Sequence, residues 1–213
     1  MKTDELIDLL ASGAPAVDPS APARRFALAS ACGMVGAVLL VLAVLGLRPN
    51  LAQETALPMF WVREVFCAVI GALGLAAVAR LSRPGRRLGG LRAGFAVPVA
   101  ALWLLALIAL AGTDANARMP LVMGQTALAC PWLIAMVSLP LLAAFLGAMR
   151  AMAPTQLRLA GTACGLAAGG LGALAYTLHC PELSAPFLAI WYVLGIVLTG
   201  LAGLLLGPRI LRW

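Results

Sequence analysis

Five cysteines are the residues best able to do chemistry in this chain of 213 residues, which has a single histidine, His179. A thiolate is a nucleophile and a ligand for soft metals. Two of the five share a local pattern, each followed by proline: Cys130-Pro131 and Cys180-Pro181. His179 and Glu182 stand beside Cys180 and add nitrogen and oxygen donors to its sulfur. Such a set suits copper(I), zinc or another soft heavy-metal ion, and two thiols on an oxidising side can instead join as a disulfide. Two unrelated cysteines at helix ends are the plain alternative. Catalytic constellations are otherwise missing. There is no Cys-x-x-Cys pair, no glycine-rich phosphate loop and no facing pair of carboxylates within the apolar segments. The chain reads as a non-enzyme that needs no certain cofactor, with a metal ion entering only as a signal.

The elements that must position these thiols are set by composition. Hydrophobic residues make up 63% of the chain and charged residues 11%, with a mean hydropathy of +1.01. Soluble domains carry about 25% charged residues to cover their surface, so lipid must cover this one. Six segments are long enough for about 30 Å of hydrocarbon: 26–47, 60–81, 93–112, 126–149, 157–178 and 187–206. The expected fold is therefore all-α, an integral membrane bundle of six transmembrane helices. A head over 1–24 precedes a membrane domain over 25–213. Pro98, Pro131 and Pro140 fall within spans, where neighbouring helices can satisfy freed carbonyls. Gly161, Gly165 and Gly169, then Gly195, Thr199, Gly203 and Gly207, form small-residue stripes that let backbones approach, within one chain or across a homodimer.

The basic residues set the orientation. Twelve of fifteen fall on one side if the N-terminus is cytoplasmic: Lys2, Arg24, Arg25, Arg80, Arg83, Arg86, Arg87, Arg92, Arg150, Arg158, Arg209 and Arg212. Arg48, Arg63 and Arg118 remain outside. The positive-inside bias gives both termini to the cytoplasm of a bacterial inner membrane, and the net charge of +7 then marks topology, with no direct nucleic-acid partner. Helical rise places Cys130 about 30 Å before Arg150, and Cys180 about 33 Å after Arg158. Both reach the outer face at one level. Arg63 and Glu64, near the outer end of their span, read as snorkelling anchors rather than a transport path.

The head offers one informative piece. Thr3 can cap a short helix with Asp4 and Glu5 in its first turn, where the helix dipole favours acids. Leu6, Ile7, Leu9 and Leu10 then form an apolar stripe suited to a partner's groove or to the membrane surface.

Several separated segments together resemble the NrsF family of bacterial membrane anti-sigma factors. They are the opening Met1-Lys2-Thr3-Asp4-Glu5-Leu6-Ile7, then Cys130-Pro131-Trp132, Ser138-Leu139-Pro140, Arg150 and Ala153-Pro154. His179-Cys180-Pro181-Glu182, Phe187, Trp191-Tyr192-Val193-Leu194-Gly195 and Leu211-Arg212-Trp213 complete the set. The resemblance spans essentially the whole chain. One departure is Arg63, where the family pattern carries lysine; the charge is kept. The resemblance implies a six-helix inner-membrane protein that sequesters an ECF sigma factor (SigF-like) until heavy-metal or oxidant stress. It implies sensing at Cys130 and Cys180, with His179 and Glu182 as further candidates. A sigma-factor contact over Thr3, Asp4, Leu6, Ile7, Leu9 and Leu10 is a hypothesis added to it. The rival readings are a membrane thiol oxidoreductase, which should carry a second cysteine pair or a quinone site, and a metal or small-solute transporter, which should line a polar path at the midplane.

Overall fold

A computed structural model describes residues 3–12, 20–83, 85–86 and 88–212, without the side chains of Leu9, Leu10, Ala11 and Arg92. The described residues are helical, with no strand among them. In chain order the helices are α1 Thr3–Ser12, α2 Ala21–Leu45, α3 Leu51–Glu54, α4 Pro58–Leu81 and α5 Leu91–Ala111. There follow α6 Ala115–Met123, α7 Cys130–Val137, α8 Leu139–Arg150, α9 Leu157–Tyr176 and α10 Ala185–Ile210. Five of them, α2, α4, α5, α9 and α10, contain a stretch long and apolar enough to cross a membrane. The pair α7 and α8 makes a sixth if its two halves are one span.

That pair departs from the expected straight span over 126–149. The chain bends by 42° between α7 and α8. Pro140 has no N–H to return to the preceding turn, so the ladder breaks there. Ser138 stands at the break, and its hydroxyl donates to the Ile134 carbonyl at 2.7 Å. Two π-helical turns, Val41–Leu45 in α2 and Leu188–Tyr192 in α10, were equally invisible in the hydropathy pattern.

Helix α9 is the centre of the bundle. Of its apolar stretch 72% is buried, against 17% in α2 and 11% in α5, so those two helices are peripheral. Alanine and glycine dominate the α9 surface, which lets both neighbours approach to backbone contact. On one side a Cβ added to Gly161 would lie 2.8 Å from the Gly207 Cα, and one on Gly165 2.8 Å from the Gly200 Cα. On the other, a Cβ on Gly170 would lie 2.8 Å from the Gly71 Cα of α4. The two glycine stripes therefore meet inside one chain. Gly161, Gly165, Gly195, Thr199, Gly203 and Gly207 are thus buried within the chain.

The head forms a helix over Thr3–Ser12, with Thr3, Asp4, Leu6 and Ile7 exposed. The side chains of Leu9 and Leu10 lie outside the described residues.

Candidate functional site

Cys130 and Cys180 are brought together at one end of the bundle. Cys130 is the first residue of α7, and Pro131 occupies the first turn, where a missing N–H costs nothing. Cys180 closes the turn beyond α9: its N–H and that of His179 both donate to the Tyr176 carbonyl, at 3.1 and 3.0 Å. Pro181 then prevents the helix from continuing. Both thiols are free and fully buried. They lie side by side, close enough for the two thiols to act on each other.

Two tyrosines cover the pair, Tyr176 from the last turn of α9 and Tyr192 from the π turn of α10. Their ring centroids are 6.0 Å apart and both side chains are fully buried. The Tyr192 hydroxyl sits close to Cys180, yet neither tyrosine hydroxyl completes a hydrogen bond of ordinary geometry. A buried hydroxyl left without a partner costs about 1–3 kcal/mol, so the site holds two donors in reserve beside two thiols.

Arginines hold the loop that carries Cys180. The Cys180 carbonyl accepts from Arg48 Nη1 at 2.8 Å and from Arg63 Nη1 at 3.1 Å. Arg63 Nη1 also donates to the Glu182 carbonyl at 3.1 Å, and its Nη2 to Glu64 Oε1 at 3.2 Å. Glu64 in turn accepts from Thr177 Oγ1 at 3.2 Å. Arg48 forms an ion pair with Glu54, and both guanidiniums face the Phe60 ring, at 5.9 and 5.4 Å from its centroid. The reading of Arg63 as a snorkelling anchor is corrected here. Its side chain is fully buried, because its donors are used on backbone carbonyls inside the bundle rather than on water.

His179 and Glu182 each meet a loop backbone group. His179 Nδ1 lies 3.1 Å from the Gly46 carbonyl, a hydrogen bond when the proton is on Nδ1. Glu182 Oε1 accepts the Gln125 N–H at 2.6 Å. Gly124 makes that approach possible. Its φ is 49°, and a Cβ there would lie 2.6 Å from the Glu182 carboxyl carbon. Among the described residues no three of His, Cys, Asp and Glu converge on a metal position. The donor set at hand is thus two sulfurs, which suits a two-coordinate soft ion or a disulfide.

The Cys180 thiol is held below the ordinary thiol range, chiefly by the neighbouring Cys130 thiol. The nearby Tyr192 hydroxyl, the Glu182 N–H and the Arg63 cation act in the same sense, and burial opposes them. A lowered pKa means that the thiolate persists as pH falls. The reactivity midpoint of Cys180 with a small uncharged thiol reagent is therefore expected below the ordinary thiol range. In Cys130→Ala the midpoint should move up towards the ordinary thiol range. A wild-type midpoint near 8.5 would remove the thiolate from the description.

Of the residues that build this site, sequence reasoning found the thiols and missed Tyr176, Tyr192, Arg48 and the role of Arg63. The one available signal was Arg63 itself, since a charge within a span is costly and needs a reason.

Comparison with known proteins gives this architecture relatives. A family model described as "Negative regulator of sigma F" (NrsF) matches residues 10–213. A protein of Azospira oryzae named "Probable anti-sigma-F factor NrsF" is 46% identical over 213 residues, covering all of both chains. The "Anti-sigma-F factor NrsF" of Caulobacter vibrioides is 43% identical over 217 residues, again covering all of both. No solved structure matches the chain. Both relatives are named as regulators, and neither as an enzyme. On a family match that includes α2 to α10 and the thiol pair between them, the chain belongs to the NrsF family of negative regulators of sigma F.

Proposed function

We propose that this protein is an anti-sigma factor that holds an ECF sigma factor (SigF-like) at the bacterial inner membrane and releases it when Cys130 and Cys180 are bridged. Bridging is done by a soft heavy-metal ion or by an oxidant. The observation that carries the reading is the meeting of the two thiols, 50 positions apart in the chain, inside a buried polar cluster. The names of the full-length relatives supply the sigma factor as partner.

In this reading the bundle has six spans, α7 and α8 together forming the fourth. Both termini are cytoplasmic, in keeping with the positive-inside bias of the arginines, and the thiol pair faces the oxidising side. An exposed acidic helix α1 then lies on the same side as the sigma factor and offers Thr3, Asp4, Leu6 and Ile7 to it, with Leu9 and Leu10 continuing the stripe.

Oxidation balances simply. A two-electron oxidant such as hydrogen peroxide takes two electrons as the S–S bond forms, the two thiol protons leave, and water is the product. A copper(I) ion would instead displace the thiol protons and link the two sulfurs. A disulfide draws the two sulfurs to about 2 Å, whereas a two-coordinate ion sets them about 4 Å or more apart, so either event fixes the spacing between α7 and the loop after α9. That loop is tied through Arg63 to α4 and through Arg48 to the end of α2, so the change reaches three spans at once. The bridged and open pairs must favour different packings for partner affinity to shift.

The test is a transcriptional reporter for the cognate sigma factor, with and without copper, cadmium or dichromate. Wild type is expected to induce. Cys130→Ser, Cys180→Ser and the double variant are expected to stay at the uninduced level while still repressing. Equal induction in the double variant would end the sensing half of this proposal. Sigma binding that survives deletion of residues 2–12 would end the assignment of α1 as the contact.

A further inference from the structure

The end of the bundle opposite the thiols carries a feature the proposed function does not use. Arg158 at the start of α9 and Arg209 and Arg212 at the end of α10 surround a groove of about 560 Å³, with Leu204, Leu205 and Pro208 as its floor. A second hollow, about 380 Å³, continues from it past Arg158 and Arg212. All three arginine side chains are exposed. The ion pairs Arg48–Glu54 and Arg63–Glu64 both lie at the thiol end and involve none of these three arginines. Pro208 has no N–H to offer the Leu204 carbonyl one turn earlier, so the groove also has a backbone acceptor on its wall.

We propose that this groove binds one anionic phospholipid, its phosphate held by Arg158, Arg209 and Arg212 and an acyl chain lying along Leu204 and Leu205. Charge complementarity requires an anion. The apolar floor then decides which one. Leu204 and Leu205 lie four to five residues before Arg209, about 6–7.5 Å further into the span, and Leu205 is 63% exposed. A ligand that fills the whole groove must place its charge at the interface and its apolar part in hydrocarbon. A lipid does this without cost, whereas the acidic α1 helix or a soluble partner would have to enter the membrane. Arginine clusters between helices at the cytoplasmic interface are a known physical solution for anionic headgroups.

The measurement is lipid retention on the purified full-length protein in neutral detergent, read by native mass spectrometry, with phosphatidylglycerol, cardiolipin and phosphatidylcholine as probes. One phosphatidylglycerol or cardiolipin per chain is expected, and no phosphatidylcholine. Arg158→Gln, Arg209→Gln and Arg212→Gln together should weaken binding about a hundredfold, at roughly fivefold per interfacial arginine. Arg24→Gln, Arg25→Gln and Arg83→Gln remove the same charge elsewhere at this end and should leave the adduct intact, with both variants eluting as the wild type does. Equal retention of phosphatidylcholine, or an adduct unchanged in the first variant, would overturn the site. An adduct that appears only when residues 2–12 are deleted would assign the groove to α1 and overturn it as well.

Discussion

Replacing Gly203 with leucine is expected to leave little folded protein. The α9–α10 seam has no room for it. A single Cβ at Gly203 would come 3.0 Å from the Gly165 Cα, and the opposing atoms are backbone that cannot rotate aside. Overpacking a core costs about 1–3 kcal/mol where side chains can yield. Here they cannot, and three more carbons follow the first, so about 4 kcal/mol or more is expected. Gly147 provides the control, since nothing lies within 4 Å of a Cβ built there and the residue is exposed. Gly147→Leu should unfold at the wild-type temperature or slightly above it, because glycine is a poor helix former. Thermal unfolding in detergent, followed by size-exclusion chromatography, reads both. A Gly203→Leu protein as stable as wild type would mean that α9 and α10 do not meet at this seam.

The seam also explains what could be read in advance. The segment expected over 60–81 is the helix Pro58–Leu81, and the one over 157–178 is Leu157–Tyr176. Hydropathy reports the length of a span directly, so these agree to within two residues. The break at Ser138 escaped it because both halves are equally apolar, and only hydrogen bonding distinguishes one bent element from one straight one. Helical rise put Cys130 and Cys180 at one depth. Whether they share one azimuth depends on how α7 packs against the loop after α9, which the glycine contacts decide and no local pattern encodes. For His179 and Glu182 the sequence offered adjacency alone. Adjacency to Cys180 in sequence suggested a shared ligand set, but in an irregular loop neighbouring side chains diverge. One reaches Gly46 and the other Gln125. Arg63 was conspicuous as a charge in a span, and its meaning required the three acceptors around it to be seen.

Those acceptors make Arg63→Met the most informative substitution at the site itself. Methionine fills the volume and removes every donor. The Glu182 carbonyl and the Glu64 carboxylate then lose a partner in a buried setting, and the Cys180 carbonyl keeps only Arg48. Removing one member of a buried charged pair typically costs about 3–5 kcal/mol. Arg63→Lys keeps the charge but replaces a planar fork by a single ammonium, which cannot serve three acceptors in the same geometry. Its loss should be smaller, about 1–2 kcal/mol, roughly that of one or two hydrogen bonds. The functional consequence follows from the clamp. If α4 learns the state of the thiols through Arg63, weakening the clamp mimics the bridged state. Arg63→Lys, which installs the residue that the family pattern carries here, should still repress, whereas in Arg63→Met the reporter should be high without stress, at wild-type protein level by immunoblot. It should stay high when Cys130→Ser and Cys180→Ser are added, because the clamp lies downstream of the thiols. Wild-type repression with full induction in Arg63→Met would instead leave Arg63 as a structural cation. The Cys180 reactivity midpoint separates the two roles further. Arg63→Met removes a cation that favours the thiolate, so the midpoint must move up, whereas Arg63→Lys retains the charge and should hold it at the wild-type position.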